Sequence, residues 1–401
     1  MSKQDKKAFE PKLRFKRDDG ADFSSWSVRP LKEIAVRSTK KNSAEDVRRV
    51  LTNSASDGVV DQRDYFEKDI ANKDNLSGYF VVEKDAYVYN PRVSSLAPVG
   101  PISKNKAGKG VMSPLYTVFS FNDSDNDFYE HYFKSNQWHA YMRKVSNTGA
   151  RHDRMNVTND DFMSMPMPCP EKGERDKIAD CLSSLDELIT VEEQKLNDLK
   201  AHKNGLMQQL FPTDGKELPK LRFPEFKGTQ NWVKKSFSEM FEIGSGKDYK
   251  HLGKGDIPVY GSGGYMLSVD DYLYEGESAC IGRKGTIDKP VFLSGKFWTV
   301  DTLFYTHSFK NCLPKFVFLL FQNINWRNHS EAGGVPSLSK QIINRIEVYI
   351  PKSTDEQQKI IDCISYLDNA IDEQKYKVDC FRKHKKGLMQ QLFPLMEKMG
   401  I

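Results

Sequence analysis

Two stretches of this chain place apolar residues alternately three and four positions apart over almost forty residues. The first carries Ile178, Leu182, Leu185, Ile189, Leu196, Leu199, Leu206 and Leu210, and the second Ile360, Ile364, Leu367, Ile371, Val378, Phe381, Leu388 and Leu392. That spacing is the a/d seam of a left-handed coiled coil, so both stretches are predicted to be long helices. No proline interrupts either one, and Pro212 and Pro394 close them. At ~1.5 Å rise per residue, roughly 38 residues make a rod of ~57 Å. Four seam positions are polar: Glu192 and Lys203 in the first helix, Gln374 and Lys385 in the second. Packed antiparallel, the helices are expected to set Glu192 opposite Lys385 and Lys203 opposite Gln374, with Leu196 against Phe381 and Leu199 against Val378. A buried polar layer would fix that register at some cost in stability. The alternative is that the two lysines snorkel from the seam edge.

Outside these helices the pattern shortens to runs of strand type between turn signals. Residues 78–91, 113–121, 256–269, 278–287 and 297–309 read as strands, and 127–143 and 315–322 as helices. The chain also repeats itself. HKNGLMQQLFP (202–212) returns as HKKGLMQQLFP (384–394), 182 residues on, and PKLRF stands at Pro11–Phe15 and Pro219–Phe223, followed by Trp26 and Trp232. Like ends with unlike middles suggest one scaffold presenting two surfaces. The expected fold class is α+β, with two α/β-mixed domains joined by two long helices packed as an antiparallel coiled coil in a pseudo-two-fold repeat. The expected boundaries are a first body at 1–170, a first helix at 171–212, a second body at 213–351, and a second helix with the C-terminus at 352–401.

Charge and composition narrow the chemistry. Sixty Lys and Arg against 55 Asp and Glu leave a formal net charge of +5 over 401 residues, which is compatible with nucleic acid. With 24 Phe, 17 Tyr and 5 Trp the chain has enough apolar bulk for packed cores. No apolar run approaches ~18 residues and the N-terminus is charged, so a cytoplasmic protein without membrane contact is expected. The six cysteines form no CxxC pair, which fits reduced thiols.

Basic residues gather on predicted loops, where they would suit phosphate contact and, for a few, base edges. Lys104, Lys106 and Lys109 lie in GPISKNKAGKGV, Arg283 and Lys284 between glycines in IGRKGT, and Arg151 and His152 after a glycine turn. Arg92, Lys247, Tyr260, Ser262 and Lys340 complete the DNA-binding candidates by the same loop chemistry. A lysine-rich loop fits a solvated surface equally well, and a strand tyrosine can simply be core. Catalysis lacks its parts: SPLY (Ser113–Tyr116) has Leu115 where an amino-methylating motif needs proline, and GSGK is followed by Asp248 rather than Ser or Thr. No metal-ligand spacing occurs. The residues describe a binder.

Together, the two unlike bodies, GLMQQLFP twice, IPVYGSGG, IGRKGTI and GGVPSLSKQIINRIEVYIP resemble the specificity subunit of type I restriction–modification enzymes, across essentially the whole chain. The resemblance implies that each body is a target-recognition domain reading one half of a bipartite, asymmetric double-stranded DNA sequence. It implies that the length of the coiled coil sets the unread spacer. It also implies docking of two methyltransferase (modification) subunits that bind S-adenosylmethionine and methylate adenine, joined by restriction/translocase subunits that use ATP and Mg. This chain itself would bind no cofactor and catalyse nothing. By the same resemblance Gly333–Gln341 ends the second domain beside its helix, and Asn156–Pro170 is the matching stretch in the first. The competing expectations are a coiled-coil adaptor that binds only proteins and a self-sufficient DNA methyltransferase.

Overall fold

A computed structural model describes residues 10–65, 76–146, 153–213, 216–331 and 334–394. It divides into two compact units, residues 1–191 with 378–401 and residues 192–377. The seam pattern forms two helices of 39 residues each, Lys172–Leu210 and Thr354–Leu392. Each unit contains the opposite ends of the two. In the first, Ile178 and Leu182 share a core with Leu392 and Phe393. In the second, Met207, Leu210 and Phe211 share one with Ile360, Ile361 and Ile364. The start of one helix packing on the end of the other makes the pair antiparallel.

The polar seam residues are aligned differently from the sequence-based register. Gln374 Nε2 donates to the Glu192 carbonyl at 2.9 Å and to Glu192 Oε2 at 2.6 Å, and Lys377 Nζ donates to Oε1 at 2.6 Å. Lys203 donates to Asp368 Oδ1 at 2.5 Å, and Lys385 pairs with Asp186. The expected Glu192–Lys385 and Lys203–Gln374 layers are therefore replaced by a register shifted by about one heptad. The reason lies just outside the seam. Asp186 and Asp368, equivalent in the repeat, stand beside the apolar stripe and each captures a lysine from the facing helix. With side chains only 12% and 15% exposed, Lys385 and Lys203 are paired rather than snorkelling.

Both bodies are built on one topology. In the first, an antiparallel sheet orders Ala35–Ser38, Thr117–Phe121, Tyr87–Tyr89 and Ile102–Lys104. In the second, Glu242–Ser245, Leu303–His307, Ser278–Gly282 and Val291–Leu293 follow the same order of neighbours. A two-stranded strap joins the start and end of each body, Ser27–Pro30 with Pro166–Cys169 and Val233–Ser236 with Glu347–Ile350. Helices Asp127–Lys134 and Pro314–Asn323 then cover the sheets. After each, a buried tryptophan donates its Nε1–H back to a helix carbonyl, Trp138 to Phe133 at 3.1 Å and Trp326 to Phe321 at 2.7 Å. The second body adds another four-stranded sheet around the hairpin Lys254–Gly261 and Gly264–Val269.

Four predicted elements divide: 256–269 becomes the hairpin Lys254–Gly261 and Gly264–Val269, 297–309 becomes strands Lys296–Thr299 and Leu303–His307, and two more split within the first body. The run at 78–91 becomes strands Phe80–Val82 and Tyr87–Tyr89, because the chain turns between them with Asp85 at φ 66°. The helix expected over 127–143 breaks near Ser135–Trp138, and a second helix starts at His139.

The duplicated PKLRF and tryptophan have a purpose that their spacing alone does not disclose. Arg14 grips Glu174 with two hydrogen bonds, at 3.0 and 2.7 Å, and Trp26 Nε1 donates to the same carboxylate at 2.8 Å. Arg222 and Trp232 hold Glu356 in the same way, at 2.7, 2.8 and 3.0 Å. Glu174 and Glu356 are 0% and 2% exposed and stand in the first turn of their long helices, where a carboxylate also suits the helix dipole. Leu13 and Leu221 of the two PKLRF segments donate their backbone N–H to Gln391 and Gln209 of the two GLMQQLFP segments, at 3.0 and 2.9 Å. Each unit thus anchors its body to both helices by the same repeated residues.

Candidate nucleic-acid interface

One topological corner in each unit carries some of the candidate residues: Arg92 in the first, and Arg283, Lys284 and Lys340 in the second. In the second, strand Ser278–Gly282 ends in the turn Arg283–Gly285. Gly282 is required there, since a Cβ would lie 2.0 Å from the Thr286 carbonyl oxygen. Lys284 pairs as an antiparallel bridge with Ser337, while Leu338 N–H donates to the Arg283 carbonyl at 2.8 Å and Gly285 N–H to that of Pro336 at 2.9 Å. These bonds turn the Arg283 and Lys284 side chains into solvent. Neither makes a salt bridge among the described residues. Ser339 caps the next helix through Ile342 N–H, and Lys340, half-buried, lies with its amine 6.0 Å from the Phe304 ring.

The first unit has the same corner. Strand Tyr87–Tyr89 runs into Asn90–Val93, and Arg92 bridges Arg154. Met155 N–H donates to the Pro91 carbonyl at 2.8 Å and Val93 N–H to that of Asp153 at 3.0 Å. Thr158 then caps the following helix through Asp161 N–H at 3.1 Å. Arg92 occupies the place of Lys284, is exposed, and likewise forms no ion pair among the described residues. Arg154, which the loop reading did not single out, stands opposite it, half-buried and 3.5 Å from Asp153 Oδ2. Arg151 and His152 lie outside the described residues.

Elsewhere the first unit's candidates are occupied. Lys104, its side chain 7% exposed, pairs with Asp127 at 2.7 Å. Lys106 pairs with Glu130 at 2.9 Å and Lys109 with Glu83 at 3.2 Å. Burial would raise the Glu130 pKa, but the charges and hydrogen bonds of Lys134 and Lys106 outweigh it and hold the carboxyl below its usual range. In the second unit Lys247 is exposed, with its backbone N–H bound to the Thr299 carbonyl at 2.9 Å. GSGK therefore offers no free amide cradle for a phosphate at that residue. Tyr260 is half-buried, packed against the cluster of Cys280, Leu293, Phe297 and Leu303, and the Ser262 N–H meets Thr302 Oγ1 at 3.3 Å.

SPLY closes a turn with Tyr116 N–H on the Ser113 carbonyl at 3.0 Å. Among the described residues no group of three or more His, Cys, Asp and Glu is placed to hold a metal, and no helix is long and apolar enough to cross a membrane. His131, 2% exposed and 3.0 Å from Ser183 Oγ through Nε2, sits in packing rather than in a cleft; burial first, then Lys134 and Lys385, push its pKa down to about 4.

Comparison with known proteins agrees with this geometry. The family model described as "Type I restriction modification DNA specificity domain" matches residues 24–201 and 229–378. The S subunit of a type I restriction–modification system from M. genitalium is 17% identical over 96% of this chain and 100% of its own, with a TM-score of 0.60. A chain from a structure titled for complex assembly and conformational transition of the type I R-M system is 12% identical over 92% of this chain and 97% of its own, with a TM-score of 0.57. No curated protein matches at the level of sequence. The family match covers both repeats, and the two unlike bodies stand on duplicated anchors: the chain belongs to the type I restriction–modification specificity family, as a non-catalytic subunit for sequence-specific DNA recognition.

Proposed function

We propose that each unit reads one half of a bipartite, asymmetric duplex sequence through its strand-end corner. Arg92 and Arg154 face the DNA in the first unit, and Arg283, Lys284 and Lys340 in the second. The observation that carries this reading is the corner itself: one backbone construction in both units presents basic side chains on otherwise different sequence, and Arg92, Arg283 and Lys284 form no ion pair among the described residues, while Arg154 lies 3.5 Å from Asp153. Lys247 and Ser262 flank the second corner, and Arg151 and His152 directly precede the first corner's return segment in sequence. Cations there supply salt-dependent affinity through phosphates, while side chains at base edges supply selectivity. Two unlike bodies require no palindrome, which a true two-fold pair of readers would.

In this reading two modification subunits dock on the chain, bind S-adenosylmethionine and methylate adenine in each half-site after flipping it from the stack. Restriction/translocase subunits supply ATP- and Mg-dependent cleavage. This chain contributes address rather than chemistry. The test is exchange of the second body for that of a relative, assembled with the same modification subunits, followed by mapping of methylated adenines. One half of the recognised sequence should change and the other remain. A change in both halves overturns the one-unit, one-half assignment, and absence of duplex binding at any salt concentration leaves a protein-only adaptor.

A further inference from the structure

The second unit carries an exposed feature that its core does not need. Strands Lys254–Gly261 and Gly264–Val269 are joined by the two-residue turn Ser262–Gly263, closed by Gly264 at φ +109°. Directly beyond it Tyr265 is 63% and Met266 48% exposed. The tyrosine is nevertheless held in place. Its ring stands edge-on to that of its cross-strand partner Tyr260 at 6.1 Å, and its hydroxyl lies 3.1 Å from Ser268 Oγ. A solvent-facing aromatic already held by its neighbours loses little freedom on binding and offers a flat apolar face to a ligand.

The surroundings identify that ligand. Thr302 ties the hairpin tip to the cationic turn, accepting from Ser262 N–H at its hydroxyl and from Arg283 N–H at its carbonyl, at 3.3 and 2.8 Å. A concavity of about 750 Å³ under the tip and another of about 610 Å³ under Arg283, Lys284 and Lys340 share Asp301 and Thr302 as a common rim. Asp248 and Asp301 also line the first concavity. Asp248, which lines the concavity at the tip and not the one at the cationic turn, suits a base edge such as the amino group of cytosine. We propose that the hairpin tip reads the bases of the second half-site, with Tyr265 stacking at a base step while Arg283 and Lys284 hold the adjacent phosphates. This assignment rests on the DNA-recognition reading above. Aromatic and apolar side chains unstack base steps in this way elsewhere, and the distortion itself discriminates sequence. The first unit's hairpin Leu51–Ser54 and Gly58–Asp61 turns instead through Ala55, Ser56 and Asp57, without an aromatic at the turn.

The test uses the chain assembled with its modification subunits and the duplex it selects from a random pool, carrying 2-aminopurine at successive positions of the second half. Binding should raise fluorescence at one step. Tyr265→Ala should abolish that rise and weaken the selected duplex roughly 10- to 100-fold, leaving non-selected duplex affinity and the salt slope unchanged. Tyr265→Phe should restore most of the loss, and unchanged thermal unfolding of both variants shows that the fold is intact. Equal weakening on selected and non-selected duplexes, or none on either, overturns the proposal. If the parent complex selects no duplex at all, it is the DNA-recognition reading that fails.

Discussion

In the first unit Lys104, Lys106 and Lys109 each meet a carboxylate within 3.2 Å, whereas in the second Arg283, Lys284 and Lys247 meet none among the described residues. The sequences around the two sets look equally basic. What separates them is the local fold: strand Ile102–Lys104 lies against helix Asp127–Lys134, which turns Asp127 and Glu130 toward its lysines. The turn at Arg283 instead leaves the sheet, and among the described residues neither Arg283 nor Lys284 forms a salt bridge. A lysine already paired can rebind to phosphate at small cost, since exposed pairs are worth ~0–1 kcal/mol. Its carboxylate would stay behind and repel the DNA. The number of lysines in a loop therefore locates a DNA face poorly, and their partners locate it better. At the anchors the units agree: Arg14, Glu174 and Trp26 repeat as Arg222, Glu356 and Trp232 with the same bonds.

The agreement at the anchors is the part of this comparison that can be broken hardest. Glu174→Ala leaves the Trp26 indole N–H without its acceptor and strips Arg14 of its bidentate carboxylate, leaving it only Glu10 and two backbone carbonyls; Glu356→Ala does the same to Trp232 and leaves Arg222 only Thr229 and the Gln230 carbonyl. Each should destabilise its unit by about 3–5 kcal/mol, as loss of one partner from a buried pair does. Urea unfolding followed by unit-specific probes measures both. A loss below ~1 kcal/mol at either site would show that the matching geometry has unequal consequences.

Acid should separate the units again. His131 stands seven residues before Trp138, and Leu319 stands seven before Trp326, so an ionisable group in one helix matches an apolar one in the other. Lys134, Lys385, Glu130, Asp186 and Ser183 face the imidazole. Because its pKa is held at about 4 rather than 6.5, the unfolded chain takes up the proton first. Stability present above pH 6.5 is then lost as the pH falls toward 4, by up to about 3 kcal/mol for this group. Unfolding of the first unit against pH, compared with His131→Leu, isolates the term. An unchanged slope in the variant assigns the acid sensitivity to other groups.

The long helices were legible in the sequence because a heptad seam is a strictly local signal. Their register was not, since Asp186 and Asp368 act from beside the seam and alignment from seam residues alone omits them. The repeat exposed PKLRF and the tryptophans, yet the glutamate that joins them lies over a hundred residues away and carries no spacing cue. Retrospectively, Glu174 and Glu356 share the 182-residue offset of the helices and could have been paired with the duplicated arginines. Arg283 and Lys284 stood out by their flanking glycines, while the match between Arg92 and Lys284 needed the strand order. Tyr260 was visible as an aromatic near glycines; which of Tyr260 and Tyr265 faces solvent depends on hairpin register.

The smallest effect sharpens the electrostatic contrast. Neutralising a cation that contacts phosphate removes about one counterion from the salt dependence, so Lys284→Ala should lower the slope of log K against log salt by about one and weaken all duplexes alike. Lys109→Ala should leave the slope within error, because the lysine's positive charge is already balanced by Glu83 at 3.2 Å. Removing that carboxylate as well distinguishes distance from pairing. If Glu83→Ala steepens the slope and Lys109→Ala then reverses it, Lys109 does reach the duplex and pairing alone had hidden it. If Glu83→Ala changes nothing, this loop faces away from DNA, and the first unit's electrostatic grip rests first on Arg92, since Arg154 already has Asp153 at 3.5 Å.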